Sequence, residues 1–60
     1  MKHFVLRLTS GCFVCSEEYE HKGTKYFKLI GQPDARKLER LINEDDAFIY
    51  INDDGVWLVL

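Results

Sequence analysis

Hydrophobic and polar residues alternate along the first part of the chain. From His3 to Thr9 the sequence reads HFVLRLT, with Phe4, Leu6 and Leu8 at one parity and Val5, Arg7 and Thr9 at the other. Alternation of period two predicts a strand, and Ser10-Gly11 then offers a turn. Cys12 to Glu20 reads CFVCSEEYE, apolar in its first half and charged in its second. That is the pattern of a strand that runs off a core into solvent. His21-Lys22-Gly23 offers the next turn. Thr24 to Ile30 (TKYFKLI) is rich in β-branched and aromatic residues, as strands are. Two successive hairpins make a three-stranded meander.

The period changes after Gly31-Gln32-Pro33. Pro33 suits the first position of a helix, and Asp34 would place a negative charge in the first turn, where the helix dipole favours it. Ala35, Leu38, Leu41 and Ile42 recur at spacings of three and four, which makes one apolar stripe. Arg36, Lys37, Glu39 and Arg40 point elsewhere, and the helix is expected to stop near Asn43 to Asp46. Two apolar runs follow, Ala47 to Ile51 (AFIYI) and Val56 to Leu60 (VWLVL), joined by Asn52-Asp53-Asp54-Gly55. Asp54-Gly55 would supply the positive φ angles of a tight hairpin turn. The predicted order is β-β-β-α-β-β: an α+β domain in which an antiparallel sheet of about five strands carries one helix on one face.

The last hairpin is apolar at both parities. Phe48 and Tyr50 fall on one face, and Ala47, Ile49 and Ile51 on the other. Trp57 and Val59 oppose Val56, Leu58 and Leu60. An antiparallel sheet with one solvated face alternates apolar and polar residues, and this hairpin does not. The sheet therefore either curls into a half-barrel or buries its second face against another chain. An apolar terminal strand at a sheet edge also invites pairing with a second copy. A homodimer is expected on these grounds, with Tyr50, Trp57 and Val59 in the self-interface.

Size and charge narrow the classes. The 60 residues amount to a single small domain, residues 1–60. Such a chain buries only about 60% of the surface that its unfolded form exposes, and often needs a disulfide, a metal or a partner for stability. A hydrophobic content of 47% excludes disorder. The net charge of -2 lacks the basic footprint of a dedicated nucleic-acid binder. No apolar run reaches the roughly 20 residues of a membrane span. Arg7 interrupts the apolar N-terminal stretch, which makes it a poor signal peptide. With two cysteines and no export signal, a reduced cytoplasmic setting is expected.

Cys12 and Cys15 pose the main chemical question. On a regular strand, residues three apart point to opposite faces, with Cα atoms about 10 Å apart. A disulfide wants about 4.4–6.8 Å, and a shared metal wants both sulfurs at one point. The two cysteines therefore read as packing residues, and no cofactor is expected. A turn at residues 11–15 would instead open a zinc set of His3, Cys12, Cys15 and His21, although that order matches no zinc spacing. Glu17 and Glu18 beside Cys15 work against a low-pKa redox thiol.

The carboxylates cluster as Glu17, Glu18 and Glu20, as Glu44, Asp45 and Asp46, and as Asp53 and Asp54. They read as solvated turn and strand-end residues, or as an acidic surface for a basic protein. Lys22, Lys25 and Lys28 surround Tyr26 and Phe27, while Arg36, Lys37 and Arg40 line the helix. Lysines among aromatics can hold single-stranded nucleic acid by stacking and charge, but the net charge opposes a polyanion. Nothing resembles a phosphate loop or a catalytic triad, so an enzyme is not expected. The expected class is a small regulatory protein that binds another macromolecule, a protein first, through Tyr19, Tyr26, Asp53 and Asp54. An inhibitor of the phage or mobile-element kind is one form of it. The alternatives are a nucleic-acid module using Lys22, Lys25, Tyr26, Lys28, Arg36, Lys37 and Arg40, and a zinc-stabilised domain.

Overall fold

The computed structural model describes residues 2–60. Its elements are β1 (Phe4–Leu8), β2 (Gly11–His21), β3 (Thr24–Leu29), α1 (Ala35–Asp45), β4 (Phe48–Asn52) and β5 (Gly55–Val59). The strands form one antiparallel five-stranded sheet in the order β1-β2-β3-β5-β4. The fold is α+β, as the pattern predicts. The sheet does not curl into a half-barrel: β1 and β4 are its outer strands, and neither pairs with the other. The chain returns from α1 to lay β4 on the outside and then inserts β5 between β3 and β4. The VWLVL strand is therefore internal, and the expectation that it forms an edge is corrected. Its last pairing is extended by the Leu60 amide, which donates to the Lys25 carbonyl at 2.9 Å.

One face of the sheet packs against α1. Phe13, Cys15, Phe27, Leu29 and Leu58 from the strands meet Leu41 and Ala47, and Phe4, Leu6, Leu8, Ile49 and Val56 pack around them. The register shows why these residues share a face. Phe4 opposes Cys15, Leu6 opposes Phe13, Phe27 opposes Leu58, and Ile49 opposes Leu58 from the other side. Directly opposed residues point the same way, so alternation along each strand becomes a continuous apolar layer across the sheet. Phe4 and Phe27 meet edge to face, with ring centroids 6.3 Å apart.

The helix starts later than predicted and ends at Asp45, within the expected Asn43 to Asp46. Asp34, not Pro33, marks the boundary: it is the N-cap, and its carboxylate accepts the Lys37 amide at 2.8 Å. That bond satisfies one of the amides which the first turn leaves without a partner. Pro33 lies outside the helix. Of the expected stripe, Leu41 is buried and Leu38 half-buried, but Ala35 and Ile42 are exposed. The contact with the sheet is thus narrower than the spacing suggested. At the C-terminus Asp46 takes a left-handed conformation, and the Ala47 amide reaches the Leu41 carbonyl at 3.5 Å.

The turns carry their own chemistry. Lys22 and Gly23 both have positive φ, at 52° and 81°, the requirement of the tight hairpin turn whose twist matches its strands. The β4–β5 turn is built differently from the expectation. Its positive φ lies only at Gly55, the first residue of β5, at 135°. Asp53 and Asp54 form the loop, and the Asp54 amide donates to Asn52 Oδ1 at 2.9 Å, a side-chain bond that substitutes for a backbone turn.

Asp45 is the carboxylate of its cluster that ties the helix to another element. Its Oδ1 accepts the Thr9 amide at 3.1 Å and its Oδ2 the Ser10 amide at 3.0 Å. These bonds tie the end of α1 to the β1–β2 turn. A carboxylate at a helix C-terminus opposes the dipole, and two amide donors offset that. The Ser10 hydroxyl is buried without a hydrogen bond of ordinary geometry, so the two amides are the contacts that hold the turn. The Ser10 side chain and the Ser10 and Thr9 amides hold the Asp45 carboxyl below its ordinary range, while desolvation works the other way.

Candidate interaction face

The other face of the sheet has no helix on it. Its composition follows from strand parity, with one interruption. In β2, Cys15 pairs with Leu29 but Glu17 pairs with Lys28. Two steps along β2 match one step along β3, so Ser16 is the extra residue of a bulge. A bulge re-aims every side chain beyond it. Without it, Tyr19 would share the helix-covered face with Cys15. With it, Tyr19 opposes Tyr26, and both point to the open face.

Four aromatic side chains from four strands meet there. Tyr19 (β2) and Tyr26 (β3) have ring centroids 6.0 Å apart with planes tilted by 48°. His21 stacks on Tyr19 at 6.3 Å, with 8° between the planes. Tyr50 (β4) opposes Trp57 (β5). The Trp57 indole N–H donates to Asn52 Oδ1 at 3.3 Å, the same oxygen that receives Asp54. One side chain therefore orients both the indole and the turn. Tyr19, His21, Tyr26, Tyr50, Asn52 and Trp57 line a shallow depression of about 430 Å³. Val59 and Phe48 continue the apolar surface beside Tyr26, because Tyr26 opposes Val59 and Val59 opposes Phe48. Phe48 is 73% exposed, the most exposed large hydrophobic of the described residues.

The residues singled out in the sequence fall into place unevenly. Tyr50, Trp57 and Val59, read there as a self-interface, share this face with Tyr19 and Tyr26, read there as partner contacts. They are one surface. Asp53 and Asp54 lie in the turn that follows Asn52, at the rim and outside the lining. His21 and Asn52 line the depression but were not read as part of an interface. Their signal was parity alone, since each follows a lining aromatic at an interval of two: Tyr19–His21 and Tyr50–Asn52.

The basic residues do not converge. Lys28 is on the open face, with Nζ 3.9 Å from Glu17 Oε2. Lys25 has the opposite parity to Tyr26, and Lys22 is in the β2–β3 turn. Arg36, Lys37 and Arg40 are on α1, on the other side of the sheet. There Lys37 Nζ lies 5.5 Å from the centre of the Phe13 ring, and Arg40 Nε donates to Glu44 at 2.8 Å. The Glu44 hydrogen bond and charge hold the Arg40 guanidinium above its ordinary value. The nucleic-acid set read from the sequence is thus divided between two sides of the molecule.

The cysteines are divided as well. Residues 11–15 are regular strand, without the turn a zinc set needs. Cys12 is exposed and Cys15 is buried, both as free thiols. Cys15 packs into the core facing α1, and burial pushes its thiol pKa up. Cys12 opposes Arg7 on the open side. His21 sits at the far end of β2, stacked on Tyr19. No group of three or more His, Cys, Asp or Glu among the described residues is arranged to hold a metal ion, so His3, Cys12, Cys15 and His21 are not one ligand set. No helix among the described residues is long and apolar enough to cross a membrane.

Comparison of the chain with protein-family models, with curated proteins and with solved structures gives no match.

Proposed function

We propose that this chain is a small binding module that acts by docking a protein onto the open face of its sheet. One observation carries the reading: the helix-free face gathers Tyr19, Tyr26, Tyr50 and Trp57 around a depression and continues through Val59 and Phe48. Tyrosine and tryptophan supply much of the binding energy of protein interfaces, because each pairs a large apolar body with a polar tip. Contiguous exposed apolar surface on a small domain marks an interaction site. The rim residues Asp53 and Asp54 add acidic character. A second copy of the chain is a competing occupant, and the homodimer reading rests on the same face and on β4, an outer strand without charge from Phe48 to Asn52.

The test compares three forms of the chain: wild type, Phe48→Ser with Tyr50→Ser on the open face, and Arg36→Ser with Glu39→Ser on the outer side of α1. Native mass spectrometry gives subunit number, and cross-linking with identification of the linked residues gives the contact face. The reading expects the helix variant to keep every heterologous contact of the wild type and the open-face variant to lose them. Contacts that map to α1, or that survive the open-face substitutions, overturn it. A dimer that the open-face variant dissolves, with no heterologous contact, would replace the protein partner by a second copy.

A further inference from the structure

The depression has a chemical preference that deepens the docking reading and rests on it. Its walls are aromatic: Tyr19 and Tyr26 on one side, Tyr50 and Trp57 on the other. The face of an aromatic ring carries negative electrostatic potential and attracts cations. The Trp57 indole is held by Asn52 at 3.3 Å, so its plane is set before anything binds. Most fixed charges nearby have the same preference; the exception is Lys28, which opposes Trp57 across the β3–β5 pair. No lysine or arginine lines the depression among the described residues. Lys28, on the same face, has a carboxylate partner in Glu17 at 3.9 Å. Glu17 precedes Tyr19 at the same parity, and Asp53 and Asp54 follow Asn52 at the rim. An anion would meet few donors here and several carboxylates. A purely aliphatic group would fill the space but would make no use of four π faces.

We infer that the depression lined by Tyr19, Tyr26, Tyr50 and Trp57 is a cation pocket that receives the guanidinium or alkylammonium head of an arginine or lysine from a basic segment of a partner protein. The head lies against the rings, and Asp53 and Asp54 meet further positive charge along the segment. Aromatic faces then supply contact and the acidic rim supplies orientation. Nucleobases stack on aromatic rings too, but their phosphates would be placed beside Glu17, Asp53 and Asp54.

The chain has one tryptophan, and it lies in the pocket, so its fluorescence reports occupancy directly. The experiment titrates the full chain with blocked Gly-Ser peptides that carry one central residue: arginine, trimethyl-lysine, or the uncharged norleucine. Choline and a single-stranded oligothymidylate are titrated in parallel at matched ionic strength. The two cationic peptides should alter Trp57 emission and bind at least about tenfold more tightly than the norleucine peptide. They should also shift the Trp57 indole N–H resonance in an amide correlation spectrum. Tyr50→Leu and Tyr19→Leu, on exposed rings, should abolish that difference while the spectrum of the core stays in place. Equal binding of norleucine overturns the cation pocket and leaves the open face as an apolar docking surface. Tighter binding of the oligonucleotide, or binding of choline without either cationic peptide, also overturns it. If no peptide binds and the open-face variants leave the cross-linked contacts unchanged, the docking reading falls with it.

Discussion

The two faces of the sheet are made from alternate residues of the same strands, yet they are different materials. The face under α1 is built from Phe13, Cys15, Phe27, Leu29 and Leu58, closed by Leu41 and Ala47. It has no polar tips and is shielded from water: Leu58, Leu41 and Cys15 are 0% exposed. The open face is built from Tyr19, Tyr26, Tyr50 and Trp57, with His21 and Asn52 between them and Phe48 and Val59 at their side. Each tyrosine, the tryptophan, the histidine and the asparagine can hydrogen-bond with water while its body packs on a neighbour. One helix of eleven residues can cover only one face. The chain therefore uses aliphatic residues and phenylalanine where burial is permanent, and amphipathic aromatics where the surface must be wet and still able to bind. Phe48 is the largest exception, an apolar ring left in water on the outer strand, and Val5, Val14 and Ile51 are exposed as well.

The largest effect that would sharpen this contrast is in the core. Leu58→Ala removes a fully buried side chain at the centre of the sheet and should destabilise the domain by about 2–5 kcal/mol. For a chain of this size that is most or all of its stability. Denaturant unfolding should show the loss as a collapsed midpoint. Tyr50→Ser, at the matching depth of the open face, should change stability by no more than about 0.5 kcal/mol. Equal losses at the two positions would mean that the open face is structural.

Deleting Ser16 should have a smaller effect. It removes the extra residue, so Cys15, Glu17, Glu18 and Tyr19 can run as a regular ladder against Leu29, Lys28, Phe27 and Tyr26. Tyr19 then stands three residues after Cys15, at the opposite parity, and stays on the open face. The Tyr19–Tyr26 ring contact should therefore survive in proton–proton distance spectra. Its loss would show that the pairing with β3 does not by itself hold Tyr19 on that face.

A smaller effect comes from the tie between α1 and the β1–β2 turn. The Asp45 carboxyl titrates lower in the folded chain than its ordinary value of about 3.9. Its contribution is therefore fully present above that value and is lost as the pH falls through the lower folded pKa. Asp45→Asn should lower the melting temperature near neutral pH and flatten its fall below about pH 4. Thermal scans across that range check both. The smallest effect is chemical. Cys12, exposed on the open side, should react with a thiol reagent in the folded state. Cys15, buried and with its pKa raised, should react only on unfolding. Rapid modification of both would mean that the face under α1 opens readily.

Much of this fold was legible in the sequence because its strands alternate cleanly and its helix does not. HFVLRLT, TKYFKLI and AFIYI each separate into two parities, and the residues read as sharing a face do so. The conflict at the last hairpin, apolar at both parities, was also real: β5 is an inner strand with Leu58 buried on one side and Trp57 partly covered on the other. What failed to show were features that depend on pairing. An extra residue in CFVCSEEYE looks like any other until β3 is laid beside it, so Tyr19 could not be assigned a face. Asp45 looked like a solvated carboxylate because its partners, the amides of Thr9 and Ser10, are 36 and 35 positions away. The Asp54-Gly55 turn was misplaced by one residue because Asn52 captures the Asp54 amide, a choice that side-chain geometry makes.

Local chemistry, then, determined the elements: period two for the strands, period three to four for the helix, and glycine where a turn needs positive φ. It also determined that an apolar surface would be left over, since one amphipathic helix cannot cover a sheet that is apolar on both sides. Which residues form that surface was decided only in the tertiary structure. Insertion of β5 between β3 and β4 brings Trp57 within one strand of Tyr26, and the Ser16 bulge turns Tyr19 to meet them. Both depend on hydrogen-bonded pairing between segments far apart in the chain, and a period read along a single strand carries no information about its neighbour.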